Sequence, residues 1–137
     1  MEHKPYALAA EASLLTPALL CYEDFLKDNT RKAIAIAGGP QRLWPHVKTH
    51  KSADIVRLMQ AMGIRRFKCA TIAEAQMLAD CEAAHILLAY PLIGPNVERF
   101  FRLRGAYPKS AFYAIADSRE GLFALSQAAG KAGAPAR

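Results

Sequence analysis

Short apolar runs alternate along the chain with segments in which apolar residues recur at helical spacing, and turn-forming residues separate the two. This alternation is typical of βα units whose strands form a parallel sheet. The pattern therefore predicts an α/β fold. The predicted strands cover residues 17–22, 43–49, 66–70, 85–90 and 111–116. The run "HILLAYPL" (85–92) is almost wholly apolar, so we expect its strand to be buried on both faces.

Helices are predicted between the strands, and several carry end signals in the sequence. The first helix, residues 23–37, should stop at the run Gly38, Gly39 and Pro40. The other expected signals are Ser52 as an N-cap, Thr71 and Glu74 as a capping box, Asn96 as an N-cap, and Asp117 as the N-cap of a last helix over 118–131.

Length and composition describe one modest domain, because 137 residues are few for two. Hydrophobic residues make up 53% of the chain and charged residues 22%, which indicates a globular protein rather than a disordered one. No window is apolar enough to span a membrane and the first residues do not resemble a signal peptide, so we expect a cytoplasmic protein without a membrane partner. Cys21, Cys69 and Cys81 are odd in number and irregularly spaced, which favours free thiols over disulfides.

The net charge of +6 raises the question of nucleic-acid binding. The basic residues are spread along the chain with acids between them, and the densest cluster, Arg99, Arg102 and Arg104, has no aromatic reading motif beside it. We therefore expect no nucleic-acid partner. A nucleic-acid-binding domain would show affinity that falls steeply with salt.

The stretch "LWPHVKTHK" (43–51) concentrates two histidines and two lysines. As a strand, it would place Trp44, His46, Lys48 and His50 on one face, with Lys48 near the carboxyl end, where α/β proteins place ligands. A lysine there can form a Schiff base with a carbonyl compound. From the residues alone, solvated loop lysines remain the alternative.

A shared metal ion is the other interpretation of this stretch, because His46 and His50 are four residues apart. In an extended strand their imidazoles would stand about 13 Å apart, too far to share one ion. We therefore predict no metal site in the chain.

Four motifs together resemble a known family. "TPALL" (16–20), "PHVKTHK" (45–51), "ATIAEAQML" (70–78) and "ILLAYPLIGP" (86–95) occur in the order seen in the amino-terminal part of the D-threonine aldolase and D-serine dehydratase-like family. These enzymes are pyridoxal phosphate enzymes with an alanine racemase-like barrel. The resemblance covers essentially the whole chain.

The resemblance implies a fold and a site. The fold would be the incomplete, amino-terminal half of a pyridoxal phosphate-binding (β/α)8 TIM barrel over residues 1–137, with 43–49, 66–70, 85–90 and 111–116 as its first four strands. The strand at 17–22 would pair with a separate β domain. Lys48 would form the Schiff base with pyridoxal 5'-phosphate. His46 and Tyr90 are candidate cofactor contacts, while Lys51 is a motif residue without an assigned role.

The implied activity is lyase chemistry, aldol cleavage or dehydration, on D-3-hydroxy amino acids. Full-length relatives form homodimers and use a divalent metal, zinc or manganese, whose ligands we expect to lie outside this chain. Because the relatives are much longer, we expect the chain to be a fragment that is inactive alone. A non-catalytic or vestigial cofactor-binding fragment is the alternative, and an amino acid racemase is a weaker one.

Overall fold

The computed structural model describes Tyr6, Leu8 and residues 11–133. Helices and strands alternate over this range, with short 3-10 turns at Glu11–Ser13, Pro40–Arg42 and Val47–Thr49. The helices are α1 (Glu23–Ala37), α2 (Ala53–Ala61), α3 (Ile72–Asp80), α4 (Pro95–Ala106) and α5 (Arg119–Lys131). The strands are β1 (Arg66–Cys69), β2 (His85–Leu88) and β3 (Ala111–Ala114). None of the helices in this range is both long enough and apolar enough to cross a membrane.

The three strands form one parallel sheet in the order β1, β2, β3. Next to β1, His46 makes a single parallel bridge with Lys68, and the Lys68 amide donates to the Pro45 carbonyl oxygen at 2.8 Å. Each strand is followed by a helix, so the prediction of βα units is confirmed.

The core lies between the sheet and its helices. Alternate strand residues, Phe67 and Cys69 on β1 and Ile86 and Leu88 on β2, are at most 2% exposed. They pack with buried residues of the helices: Val56, Ala75, Leu78, Val97, Phe100 and Leu103. We call this side the helix-covered face.

The opposite side of the sheet is only partly buried. By strand alternation it carries Arg66, Lys68, His85, Leu87 and Tyr113, and we call it the open face. The expectation that β2 is buried on both faces is therefore wrong, because helices cover only one side of this sheet.

Three predicted helix ends are confirmed. Gly38 ends α1 in a left-handed conformation with φ of 75°, which glycine adopts without steric cost. The Ser52 hydroxyl accepts from the Ile55 amide at 3.4 Å, and the Thr71 hydroxyl accepts from the Glu74 amide at 3.1 Å. Each hydroxyl satisfies an amide that has no partner within its own helix.

Two other predicted caps are wrong. Helix α4 starts at Pro95 after Gly94, so Asn96 is already inside the first turn, as expected where proline occupies the first helical position. The N-cap of α5 is Ser118, whose hydroxyl accepts from the Gly121 amide at 3.0 Å. Asp117 precedes this cap and is exposed.

Two predicted strands are also absent. Residues 17–22 form no strand, and Leu19 is 68% exposed, because no other strand in the described part of the chain lies beside them. The predicted strand 43–49 is reduced to the bridge at His46, after which the backbone turns into the 3-10 helix Val47–Thr49. Pro45 cannot donate a backbone hydrogen bond, which weakens pairing there.

Candidate functional site

Lys48 lies in the 3-10 turn that begins directly after His46, at the edge of the sheet where β1 ends. Its neighbour Val47 is completely buried and anchors the turn in the core, while the Lys48 side chain is exposed. The turn therefore holds a primary amine in reach of solvent at the carboxyl edge of a parallel sheet. This is the edge at which α/β barrels and open sheets bind ligands.

His46 fixes the start of this turn. Its Nδ1 accepts a hydrogen bond of 3.2 Å from the Lys48 amide, so the ring proton of the neutral imidazole is on Nε2. Burial lowers the pKa of His46, and the positive charges of Lys48 and Lys68 lower it further against the opposing effect of Glu74. His46 is therefore a neutral N-cap of the segment 47–51, which we call the lysine turn. The prediction that His46 and Lys48 share one face of a strand is wrong, because residues 47–49 form a 3-10 helix.

His50 fixes the other side of the turn. Its Nδ1 accepts from the Ser52 amide at 3.1 Å, while the buried Nε2 makes no hydrogen bond within the described residues. Burial lowers its pKa from the ordinary value for histidine. His50 thus links the lysine turn to Ser52, the N-cap residue of α2.

His46 and His50 do not have the geometry that was predicted for them. The extended geometry from which the separation of His46 and His50 was predicted is not present, because residues 47–49 form a 3-10 turn. Even so, the described part of the chain contains no group of three or more histidine, cysteine, aspartate or glutamate side chains placed to hold a metal ion.

Lys51 ends the turn and reaches a buried acid. Its amide donates to the Val47 carbonyl oxygen at 2.8 Å, and its Nζ lies 3.6 Å from Glu74 Oε1. The other Glu74 oxygen accepts from the Ala70 amide at 2.8 Å. Glu74 was predicted only as part of a helix cap, and its pairing with Lys51 was missed because the two residues are far apart in sequence.

Lys68 was also missed as a site residue. It is half-buried between two buried neighbours on β1, and its charge acts on the His46 imidazole. The alternation in "RRFKCA" offered a signal, since Phe67 and Cys69 on one face place Lys68 on the other. A lysine on the open face of the sheet, near the carboxyl end of its strand, is a candidate contact for an anionic ligand.

Tyr90 lies two residues after the end of β2 and is 62% exposed. Within the described residues no hydrogen bond or ion pair connects it to Lys48 or His46. The structure therefore brings Lys48 and His46 into direct contact and leaves Tyr90 apart on the same edge of the sheet.

A shallow, mainly apolar cleft also lies on this edge, between the segment after β2 and the start of α5. Its lining includes Leu92, Ile93, Val97, Ile115 and Leu125, and none of Lys48, His46 or Tyr90. We give more weight to the lysine turn as the reactive site, because the cleft is lined by the polar residues Asp117, Ser118 and Glu120 but by no lysine that could form a Schiff base.

Comparison with known proteins finds a matching family and a solved structure with a similar fold. The family described as "Alanine racemase, N-terminal domain" matches residues 23–137. The crystal structure of D-threonine aldolase from Filomicrobium marinum matches with a TM-score of 0.78 and 26% sequence identity, over 90% of this chain and 33% of that chain. A search of curated proteins gives no match.

These comparisons confirm the resemblance and the fold class predicted from the sequence. The chain has the fold of part of an alanine racemase-type (β/α) barrel, and it spans 33% of the length of the aldolase structure that it matches. The open face of the sheet corresponds to the inner side of such a barrel.

Proposed function

The chain belongs to the alanine racemase N-terminal domain family, and on that premise we propose that it binds pyridoxal 5'-phosphate covalently through Lys48. We further propose that it is the cofactor-attaching part of a lyase for D-3-hydroxy amino acids. The observation that carries the proposal is the exposed Lys48 amine on a turn anchored by Val47 and capped by His46. The likeness to a D-threonine aldolase supports the substrate class.

The residues at the lysine turn fit the aldehyde group of this cofactor. An accessible primary amine is the chemical requirement for attachment, and the structure leaves Lys48 exposed. Lys48 would hold the cofactor covalently by condensation of its Nζ with the aldehyde, and the amine protons and the aldehyde oxygen would leave as water. When bound, pyridoxal phosphate withdraws electrons from the substrate bond that breaks.

The neighbouring side chains have distinct roles in this proposal. His46 orients the turn and, being neutral, leaves the positive charges at the site to the lysines. Lys68 and Tyr90 are positioned near the same edge and are candidate contacts for the anionic or aromatic parts of the cofactor. We assign no phosphate cradle and no metal ligand to the described residues.

A second candidate is cofactor binding without turnover. It is favoured by one observation, that the matched part is 33% of the D-threonine aldolase structure, so residues supplied by the remainder of that enzyme have no counterpart in the match. In that case the chain would attach the cofactor at Lys48 and release no product from D-threonine or D-serine.

The test is to mix the purified chain with pyridoxal phosphate, follow the visible absorption band, reduce with borohydride and locate the modified lysine by peptide mass spectrometry. We expect modification of Lys48 and loss of the band in Lys48→Ala. That variant should change the free energy of unfolding by no more than about 0.5 kcal/mol, because the side chain is exposed. A matched control is Lys32→Ala, which removes an exposed lysine of α1.

An unchanged band in Lys48→Ala, or borohydride fixation at another lysine, would show that the assignment of Lys48 is wrong. Product assays then separate the two candidates. Formation of glycine and acetaldehyde from D-threonine, with and without added manganese or zinc, supports the lyase, and attachment without product supports the binding protein.

A further inference from the structure

Glu74 is a buried carboxylate that connects two separate elements. Its side chain is 4% exposed, and its two oxygens face different partners, the Ala70 amide at 2.8 Å and Lys51 Nζ at 3.6 Å. A carboxylate in such a position is costly unless its charge is paired and hydrogen-bonded. Capping α3 accounts for one oxygen only, so the contact with Lys51 needs its own explanation.

Lys51 adopts a backbone conformation that its residue type rarely takes. Its φ is 48°, in the left-handed region where asparagine and glycine are the ordinary residues. The turn itself does not require a lysine, since the Val47 carbonyl oxygen accepts the backbone amides of both His50 and Lys51. What lysine adds at this position is an ammonium group directed at Glu74.

Lys48 lies between the two fixed ends of this turn. The start is held by the buried Val47 side chain and by His46 Nδ1, and the end is held by the contact between Lys51 and Glu74. Because Lys48 itself is exposed, few packing contacts can fix its amine, and its direction depends on the backbone on either side.

We propose that Glu74 is a positioning residue for Lys48, holding the end of the turn 47–51 against the start of α3 through Lys51. This inference rests on the proposed attachment of the cofactor at Lys48. Glu74 belongs to the helix that follows β1, so it ties the lysine turn to the neighbouring βα unit.

The charges around the turn agree with this role. Glu74 acts on both His46 and His50, raising the pKa of each imidazole against the stronger lowering effect of burial. Its carboxylate is therefore a negative charge that acts on both histidines of the motif and on Lys51. Without it, the Lys51 ammonium would lose the negative charge with which it is paired.

The experiment uses the full chain and three substitutions. Glu74→Gln retains an oxygen that can accept from the Ala70 amide and removes the charge. Lys51→Asn tolerates the positive φ and removes the ammonium, whereas Lys51→Arg keeps the charge. The readouts are the Kd for pyridoxal phosphate, from the absorption band, and hydrogen exchange of the His50 and Lys51 amides.

We expect Glu74→Gln and Lys51→Asn each to raise the Kd about tenfold, the size of a coupling between contacting residues, and to speed exchange at the end of the turn. The double variant should be no worse than the worse single variant, and Lys51→Arg should keep most of the affinity. The exposed pair Asp28 and Lys32 on α1 is the matched control, and Asp28→Asn with Lys32→Met should change neither readout.

Two failures are distinguishable. If the wild-type chain shows no attachment that depends on Lys48, the proposed function is overturned, and with it the purpose assigned to Glu74. If attachment occurs at Lys48 and Glu74→Gln changes neither the Kd nor the exchange of the turn, only the role of Glu74 is overturned. Additive effects in the double variant would likewise show that Glu74 does not act through Lys51.

Discussion

The two faces of the three-stranded sheet differ in composition and in burial. On the helix-covered face, Phe67, Cys69 and Ile86 are completely buried among helix residues. On the open face, His85 stacks on Tyr113 with the ring centroids 5.9 Å apart, and Tyr113 is 42% exposed. The same strands therefore present a closed apolar core on one side and exposed polar and aromatic groups on the other.

The difference separates residues that hold the fold from residues available for chemistry. Interiors of α/β barrels are commonly filled by branched apolar side chains. Here the open face carries Arg66, whose guanidinium lies 5.7 Å from the centre of the Trp44 ring, and Lys68 beside His46. Because the open face carries charged groups, the helix-covered face contributes most of the stability. The lysine turn lies at the edge of the open face.

The strongest test of this comparison is the replacement of one aromatic residue on each face. Phe67→Ala should lower the free energy of unfolding by about 3–5 kcal/mol, because it leaves a cavity in the core. Tyr113→Ala should lower it by about 1 kcal/mol, the contribution of its ring contacts with His85 and Trp44. Urea denaturation followed by circular dichroism measures both. Equal losses would mean that the two faces contribute alike.

We expect a smaller effect in the pH dependence of stability, which arises from the lysine turn and not from the core. Burial lowers the pKa of His50 from its ordinary value of 6.5, so the folded state favours the neutral ring while the unfolded state takes up a proton more readily. Stability should be full above about pH 6.5 and should fall as the pH drops further. The urea midpoint, measured between pH 8 and pH 5, shows this decline.

His50→Asn should reduce the pH dependence, since an amide oxygen can still accept from the Ser52 amide but does not titrate in this range. Some dependence should remain, because burial lowers the pKa of His46 as well. An unchanged slope in His50→Asn would show that the lysine turn does not couple to folding through this residue.

The smallest expected effect is a difference in thiol reactivity, which is measured on the folded chain without altering its stability. Burial raises the pKa of Cys69 to about 12 and also raises that of Cys81, whereas Cys21 is exposed. A disulfide reagent at pH 8 should therefore modify Cys21 quickly and the other two thiols only after denaturant is added. Cys21→Ser should remove the fast phase, and rapid modification of Cys69 in the folded chain would contradict the burial of the helix-covered face.

Prediction from sequence succeeded where the signal was local. The period of the apolar residues located α1, and the hydroxyls of Ser52 and Thr71 marked the starts of α2 and α3, because a cap is formed within a few residues of chain. It failed for residues 17–22, which have no strand beside them in the described part of the chain. It failed for residues 43–49 because the backbone turns into a 3-10 helix directly after the single bridge of His46 to Lys68.

The candidate site shows the same division. The family resemblance carried by the motif "PHVKTHK" made Lys48 the candidate cofactor lysine, and the alternation of "RRFKCA" determined which β1 residues face the core. Only the tertiary structure decided that residues 47–49 leave the predicted strand and that Glu74 reaches Lys51. Periodicity and capping act between neighbours in the chain, whereas the contact between Glu74 and Lys51 exists only because β1 and α3 fold against the turn.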